Sequence, residues 1–322
     1  MRILVSGGLG FIGSALIRLL ITNTEHKVLN IDKETYAAMP EALAEIETHR
    51  NYSFEKIDII SDESLKKIFA IFKPDAVMHL AAESHVDRSI DKPKNFILSN
   101  ILGTYNLLES ILLYKKKITL IHVSTDEVYG SLEYGESHLF TEDTPYDPRN
   151  PYSASKAAAE HMVKTWHNTY GLPYLITSAA NNYGPRQHKE KLIPKVIDNA
   201  LNDKVTYMYG GGQQIRDWIH VDDHCDAIWE LDKQNILNEK FNIASGNEVP
   251  NMKITKKILD ILDKPHSLIG VSNERPGQDQ RYGTDFSKLR ERTGWSPKID
   301  FDEGLKQTVD WYHKYFNLMG IE

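Results

Sequence analysis

The first twenty residues, MRILVSGGLGFIGSALIRLL (1–20), set the architecture. Ile3, Leu4 and Val5 are a short apolar run of the kind that forms a buried strand. Gly7, Gly8, Gly10 and Gly13 follow, and helix-forming residues continue through Leu20. Strand, glycine loop and helix in this order are the context in which such a glycine spacing binds a dinucleotide. Absent side chains let the backbone turn tightly and approach a pyrophosphate at the positive end of the helix. Next outward, KVLNID (27–32) reads as a second strand ending in Asp32. A carboxylate there accepts hydrogen bonds from ribose hydroxyls and repels a 2′-phosphate, so NAD is expected rather than NADP. A third strand is expected to end at Asp58-Ile59, where a short acid can hold the adenine amine. A fourth, DAVMHLAA (75–82), ends in Ala81 and Ala82, small enough for a cofactor to pass close to the backbone. A helix near 95–114, the strand ITLIHVS (118–124), a helix from about 151 and the strand PYLITSA (173–179) continue the alternation. Repeated strand–helix units predict an α/β fold with a doubly wound parallel sheet.

Bulk properties remove other classes. The 322 residues suffice for one large domain or two ordinary ones. Lys and Arg number 38 against 45 Asp and Glu, a net charge of −7, so no nucleic-acid partner is expected. The single basic run, Lys115-Lys116-Lys117, reads as a solvated helix C-terminus. Cys225 is the one cysteine, which fits a reducing compartment. The chain opens directly on a strand, and no stretch reads as a membrane span, so a soluble cytoplasmic protein is expected. Cys225 follows Asp222, Asp223 and His224, but a core thiol on a helix is the simpler reading, and no metal is expected.

Two further stretches carry chemistry. NPYSASKAAAEHMV (150–163) places Tyr152 and Lys156 four apart, on one face of a helix. An ammonium near a phenol favours phenolate, as does the positive nicotinamide of NAD, so the usual phenol value of about 10 should fall toward that of a general base. HVSTDEVYG (122–130) sets two carboxylates, Asp126 and Glu127, behind Ser124-Thr125 at the end of a strand. They could stabilise a helix start or move protons. Strand neighbours face opposite ways, so both meet one ligand only if the strand has ended by Asp126.

On Gly7-x-x-Gly10-x-x-Gly13, Asp32, Asp58, Ala81-Ala82, Ser124-Thr125 and Tyr152-x-x-x-Lys156, the chain resembles the extended short-chain dehydrogenase/reductase family. Within it, the adjacent acids of TDEVYG (125–130) make it similar to the nucleoside-diphosphoglucose 4,6-dehydratases. AAESHVDRSI (81–90), NNYGP (181–185), EKLIP (190–194), RDWIHVDDHC (216–225), RPG (275–277) and GWSPKIDFDEGLKQTVDWY (294–312) extend that similarity along nearly the whole chain. The resemblance implies a hydroxyl held between Thr125 and Tyr152. It implies oxidation at C4 of a glucosyl group by NAD, removal of the C5 proton by Glu127, loss of the C6 hydroxyl as water with Asp126 as acid, and return of the hydride to C6. The product would be a 4-keto-6-deoxy sugar nucleotide, a precursor of rhamnose-type sugars. Competing readings are a 4-epimerase or decarboxylase of nucleotide sugars, against which the acid pair speaks, and a non-catalytic NAD-binding scaffold.

The resemblance also implies an NAD-binding Rossmann domain over 1–178, with some later chain returning to it, and a smaller α/β nucleotide-sugar-binding domain over 179–322. The cofactor set it implies adds Phe11, Ile12, Lys33, Thr35, Ile59, Leu80, Ser84, Ser99 and Asn182 to the glycines, acids, Tyr152 and Lys156 already named. The substrate set is Ser84, Thr125, Asn181, Lys191, Leu192, Tyr207, Tyr209, Arg216, Asn251, Arg275 and Gln278. Lys191 and Arg216 would neutralise the diphosphate, for which the guanidinium fork is suited. The pattern is broken at Arg186, Gln187, His188 and Lys189, at Glu274 and at Gln278, positions that bear on thymine against uracil. A homodimer is implied through helices near 95–114 and 151–170. The stripe Phe96, Ile97, Ile101, Leu107, Leu108, Ile111 and Leu112 is compatible with that or with packing on the sheet.

Overall fold

A computed structural model describes residues 1–114 and 117–319. Lys115 and Lys116 of the basic run lie outside the described residues. Seven parallel strands form the main sheet: β1 (Arg2–Ser6), β2 (Lys27–Asp32), β3 (Tyr52–Lys56), β4 (Ala76–His79), β5 (Thr119–Thr125), β6 (Tyr174–Ala179) and a last strand, Glu239–Ile243, supplied by later chain. Their order across the sheet is β3-β2-β1-β4-β5-β6 followed by Glu239–Ile243. The order reverses between β1 and β4, and such a reversal opens a crevice at the strands' C-terminal ends. Helices Phe11–Asn23 and Val221–Lys233 cover one face; Asp62–Phe72, the stretch Pro93–Leu113 and Pro151–Tyr170 cover the other. Strand interiors are accordingly apolar on both sides, with Ile3, Leu4 and Val5 fully buried.

Several boundaries differ from the sequence expectation. The third strand stops at Lys56 because Asp58 turns the chain, its Oδ1 accepting the Ile60 amide at 3.0 Å. The fourth stops at His79. Leu80 still donates to Ser6 O at 3.0 Å, and the chain then crosses Gly7. Gly7 has φ +79°, and a Cβ on it would lie 2.5 Å from the Ala81 nitrogen, so only glycine fits.

The helical stretch Pro93–Leu113 corrects one expectation. Its apolar character, mean hydropathy 1.4 over its best window, is sufficient to cross a membrane. It nevertheless packs in the core, with Leu107, Leu108 and Ile111 against the sheet, Phe96 buried edge-on to the Tyr152 ring at 6.3 Å, and polar Ser99, Asn100, Thr104 and Asn106 also buried. Most of the proposed dimer stripe is thus core; Ile97 faces solvent. The stretch includes a π-helical turn at Ile97–Leu102, a feature frequent at functional sites. From that turn Asn100 exchanges hydrogen bonds with Glu83 and donates to Ser155 Oγ at 2.8 Å, tying the loop after β4 to helix Pro151–Tyr170.

Beyond β6 the chain forms two small sheets. One joins Asn181–Tyr183, Ile215–His220 and Glu248–Pro250; the other pairs Thr206–Tyr209 with Ile269–Ser272. Helices Leu192–Leu201, Asn251–Ile261 and Phe301–Met319 enclose a separate apolar cluster around Tyr183, Ile193, Ile254, Ile258 and Leu305. Cys225 sits in the main core, its Sγ 3.7 Å from the Ile12 carbonyl, and burial pushes the thiol up.

Candidate active site

A cavity of about 440 Å³ lies at the strands' C-terminal ends, and every residue nominated from the sequence for cofactor or substrate lines it. On the cofactor side, Gly10 caps helix Phe11–Asn23 with no side-chain bond, and no acidic residue occupies the first turn. The amides of Phe11, Ile12 and Gly13 have no intrahelical acceptor and carry the positive end of the helix dipole. A Cβ on Gly13 would sit 2.2 Å from Gly7 O, which explains the third glycine. Asp32 is fixed by amides: Leu9 N donates to Oδ2 at 3.1 Å and Glu34 N to Oδ1 at 2.9 Å. Lys33 Nζ stands 3.9 Å from Asp58 and 3.8 Å from Glu83. Thr35, Ile59, Leu80, Ala81, Ala82, Ser84 and Ser99 complete this half. Free helix amides opposite a carboxylate held for ribose hydroxyls fit a dinucleotide without a 2′-phosphate. Asn182 is committed within the protein, its Nδ2 donating to Ala180 O at 3.0 Å and its Oδ1 lying 2.9 Å from His224 Nδ1.

At the reacting end, β5 stops at Thr125 and a 3₁₀ turn, Asp126–Tyr129, begins. Thr125 caps that turn, accepting the Glu127 amide on Oγ1 at 3.3 Å. The strand alternation is therefore broken where it must be, and both carboxylates border the cavity. Asp126 is 1 % exposed, with Thr284 Oγ1 donating to its Oδ2 at 3.2 Å. Burial first, then the charges of Glu127 and Asp217, push its carboxyl up to about 8. Glu127 is also raised by burial, while Lys191 and Arg216 pull it back. Asn150, the cap of helix Pro151–Tyr170, reaches Glu127 Oε2 at 3.5 Å. Tyr152 and Lys156 project from the first turns of that helix, and Lys156 Nζ donates to Val123 O at 2.8 Å. Burial lowers the Lys156 ammonium to about 8.

The expected depression of the Tyr152 phenol is not found in the protein alone. Burial raises it, the Glu127 and Asp126 charges raise it further, and among its neighbours only the Thr125 side chain pulls it down. The sequence argument counted the two cationic neighbours and left out desolvation and the acid pair.

On the substrate side, Lys191 Nζ donates to Ser84 O at 2.8 Å. Arg216 is buried, bonded to the carbonyls of Ile215 at 2.7 Å and Asp279 at 2.9 Å, and stacked 4.0 Å from the Tyr282 ring centre. Arg275 Nη1 donates to Asp87 Oδ1 at 2.8 Å. Asn181 Oδ1, Asn251 Oδ1 and Arg275 Nε are buried without a partner among the described residues. Tyr207 and Tyr209 are exposed on Thr206–Tyr209, Leu192 opens helix Leu192–Leu201, and Gln278 Nε2 reaches Asp279 O at 3.4 Å. Sequence reasoning missed Asp87, Asp279, Asn150 and Thr284. It also missed a clasp at the cavity wall, in which Arg88 pairs with the lining residue Glu190 and lies 3.6 Å from the ring centre of Tyr36, another lining residue. His188, one of the pattern-breaking residues, meets the same ring edge-on at 5.6 Å. Asn150-Pro-x-Ser153 carried a visible capping signal; the others are joined by distant chain and left none.

A doubly wound parallel sheet, a glycine loop and a Tyr-x-x-x-Lys pair on one cavity define an extended short-chain dehydrogenase/reductase, with NAD as cofactor. The model of the GDP-mannose 4,6 dehydratase family matches residues 4–308. The chain belongs to that family and is accordingly an NAD-dependent hydro-lyase. It is 49% identical to a dTDP-glucose 4,6-dehydratase of Haemophilus influenzae, covering 97% of this chain and 98% of the relative. It is 46% identical to that of Escherichia coli K12, covering 97% and 92%. Among solved structures, the dTDP-glucose 4,6-dehydratase DesIV of Streptomyces venezuelae, with NAD and dTDP bound, aligns with TM-score 0.94 at 38% identity over 99% of this chain and 98% of that one. A UDP-glucose 4-epimerase of Thermotoga maritima aligns with TM-score 0.89 at 30% identity over 98% and 100%.

Proposed function

We propose that this chain converts dTDP-glucose to the 4-keto-6-deoxy sugar nucleotide and water. The observation that carries the reading is a buried, raised carboxyl at Asp126 beside Glu127, on the same cavity as Tyr152 and Lys156. NAD, which the glycine loop, the first amides of helix Phe11–Asn23 and Asp32 would hold, would supply a hydride acceptor for C4 of the sugar and a hydride donor for C6. The chain's residues do the rest. Thr125 and Tyr152 hold the C4 hydroxyl, and Tyr152 takes its proton with Lys156 supplying positive charge. Oxidation at C4 acidifies C5–H, and Glu127 in its ionised form removes that proton. Hydroxide is a poor leaving group, so Asp126, kept protonated by burial, donates to the C6 oxygen as it departs. Two adjacent carboxyls in environments that hold them in different protonation states can thus serve as acid and base at one pH. Lys191, Arg216 and Arg275 face the diphosphate, Asn181 and Asn251 offer unpaired oxygens to the ligand, and Tyr207 to Tyr209 border the nucleoside.

The names of the most similar relatives favour thymidine over uridine, and incubation with both hexose nucleotides tests this. Product mass separates the possibilities: dehydration removes one water from the sugar nucleotide, whereas epimerisation leaves its mass unchanged. In heavy water one solvent deuteron is expected at C5. Unchanged mass with dTDP-glucose would sink the reading. We propose in addition that the molecule is a homodimer and that it works in the cytoplasm.

A further inference from the structure

Lys156 is followed four residues later by Glu160, on the same face of helix Pro151–Tyr170. Glu160 is fully buried. Lys240 Nζ from the last strand of the sheet lies 2.8 Å from its Oε2, the Tyr146 hydroxyl donates to the same oxygen, and Ser178 Oγ donates to Oε1 at 3.4 Å. Ser124, next to Thr125, stands alongside. Burial opposes its charge, but Lys240 and the donors prevail and hold the carboxyl below the usual range. Lys156 is 5 % exposed, and its mapped hydrogen bond goes to the Val123 carbonyl. Glu160 is the anion that opposes the desolvation of this ammonium.

We propose that Glu160 is a positioning residue for the reaction: a buried carboxylate, fixed by Lys240, Tyr146 and the ends of β5 and β6, that keeps the Lys156 ammonium charged and in place behind Tyr152. The proposal rests on the function given above. The groups facing this pair are few in charge. His79 and His122, from β4 and β5, are pushed far down by burial and are neutral. Tyr129, Tyr146 and Tyr174 are pushed up and stay neutral. Lys164 donates to the Tyr146 hydroxyl at 3.2 Å, His161 lies against the Tyr146 ring at 5.0 Å, and Glu142 acts on Lys240 from the 141–149 loop. A purely structural role, an ion pair clamping the last strand to the helix, would be broken alike from either end.

The test compares the full-length enzyme with E160Q, E160D and K240Q, using dTDP-glucose with saturating NAD. Turnover by the unaltered enzyme comes first; its absence overturns the function and this proposal with it. In E160Q, Lys156 loses its proton at lower pH, so the alkaline limb of kcat/KM should move down by about one unit. At pH 8 kcat should fall about fivefold, with the KM for dTDP-glucose within twofold. E160D, which keeps the charge, should restore the limb, and K240Q, which weakens the Glu160 charge without abolishing it, should move it less than E160Q does. If E160Q does not fold, E160Q/K240Q, which leaves no lone buried charge, is read in the same way. An alkaline limb unmoved in the glutamine variant, or moved equally in E160Q and K240Q, would overturn the proposal while leaving the function standing.

Discussion

Asp126 and Glu127 are adjacent, yet their surroundings separate them. Burial raises both and Arg216 pulls both back, but Asp126 is bonded to Thr284 and raised by Glu127 and Asp217, whereas Glu127 also feels Lys191. As the proposed acid, Asp126 must be protonated, and Lys156 must be charged, so activity should be present below about pH 8 and lost as pH rises through that value, where both groups give up their protons. Asp126→Asn should still oxidise C4 but lose elimination, at least ~100-fold in turnover, and reduced cofactor should build up in its near-ultraviolet absorbance. Turnover at the unaltered rate would refute the assignment. Stability gives an independent check with a definite sign. An unfolded aspartate ionises near 4, while folded Asp126 resists ionisation until about 8, so the fold loses stability as pH rises between those values. Asparagine removes that penalty. D126N should therefore exceed the unaltered protein in unfolding free energy at pH 7, on the order of 2–4 kcal/mol, and match it near pH 3.5; denaturant titrations at the two pH values measure this. The acid pair was legible because the residues are contiguous. Arg275 and Asp87 lie 188 positions apart, and no local pattern announces such a contact.

At the scale of elements, what matters is where each one ends. The sequence showed the strands and helices of the main sheet but extended two strands into the loops beyond them, since Ile57 and Ile59, and Leu80 and Ala81, continue an apolar pattern after the ladder has stopped. Those loops form the cofactor's half of the cavity, so a shorter strand means a larger site. Helix Pro151–Tyr170 starts where the chemistry needs it because Asn150 and Ser153 form a reciprocal cap, with Pro151 at the first helical position. Asn150 also reaches Glu127, joining the cap to the acid pair. Asn150→Ala should lose about 1 kcal/mol of stability. It should also lower kcat by more than that loss alone explains, because Tyr152, Lys156 and Glu127 all take their positions from this helix start. Chemical denaturation and steady-state kinetics on one preparation separate the two effects; a variant less stable yet unchanged in kcat would limit Asn150 to a cap.

At the scale of the whole molecule, the chain's return to the main sheet as Glu239–Ile243 was legible only through the resemblance, because a five-residue strand amid a looser rhythm has no periodic signature of its own. Its consequence is physical: it brings Lys240 under the helix that carries Tyr152 and Lys156. The outer surface of that helix layer remains apolar. Ile97, Leu102, Tyr105 and Leu113 on the Pro93–Leu113 stretch are exposed beside Tyr170, and Tyr105 packs edge-on against Trp166 at 5.8 Å. Several large apolar side chains exposed along one helix layer are costly in water, and we propose that a second copy related by a two-fold axis covers them. The same stretch places Ser99 on the cavity and Asn100 on the loop after β4, so the proposed interface and the site would share one element. Light scattering should then give twice the 36.8 kDa chain mass. Ile97→Glu with Tyr105→Glu should give the monomer, with lower thermal stability and weakened NAD binding, because the π turn loses its outer support while its inner contacts are untouched. A monomeric unaltered protein would refute the dimer, and a charged variant that still sediments as a dimer would place the interface elsewhere.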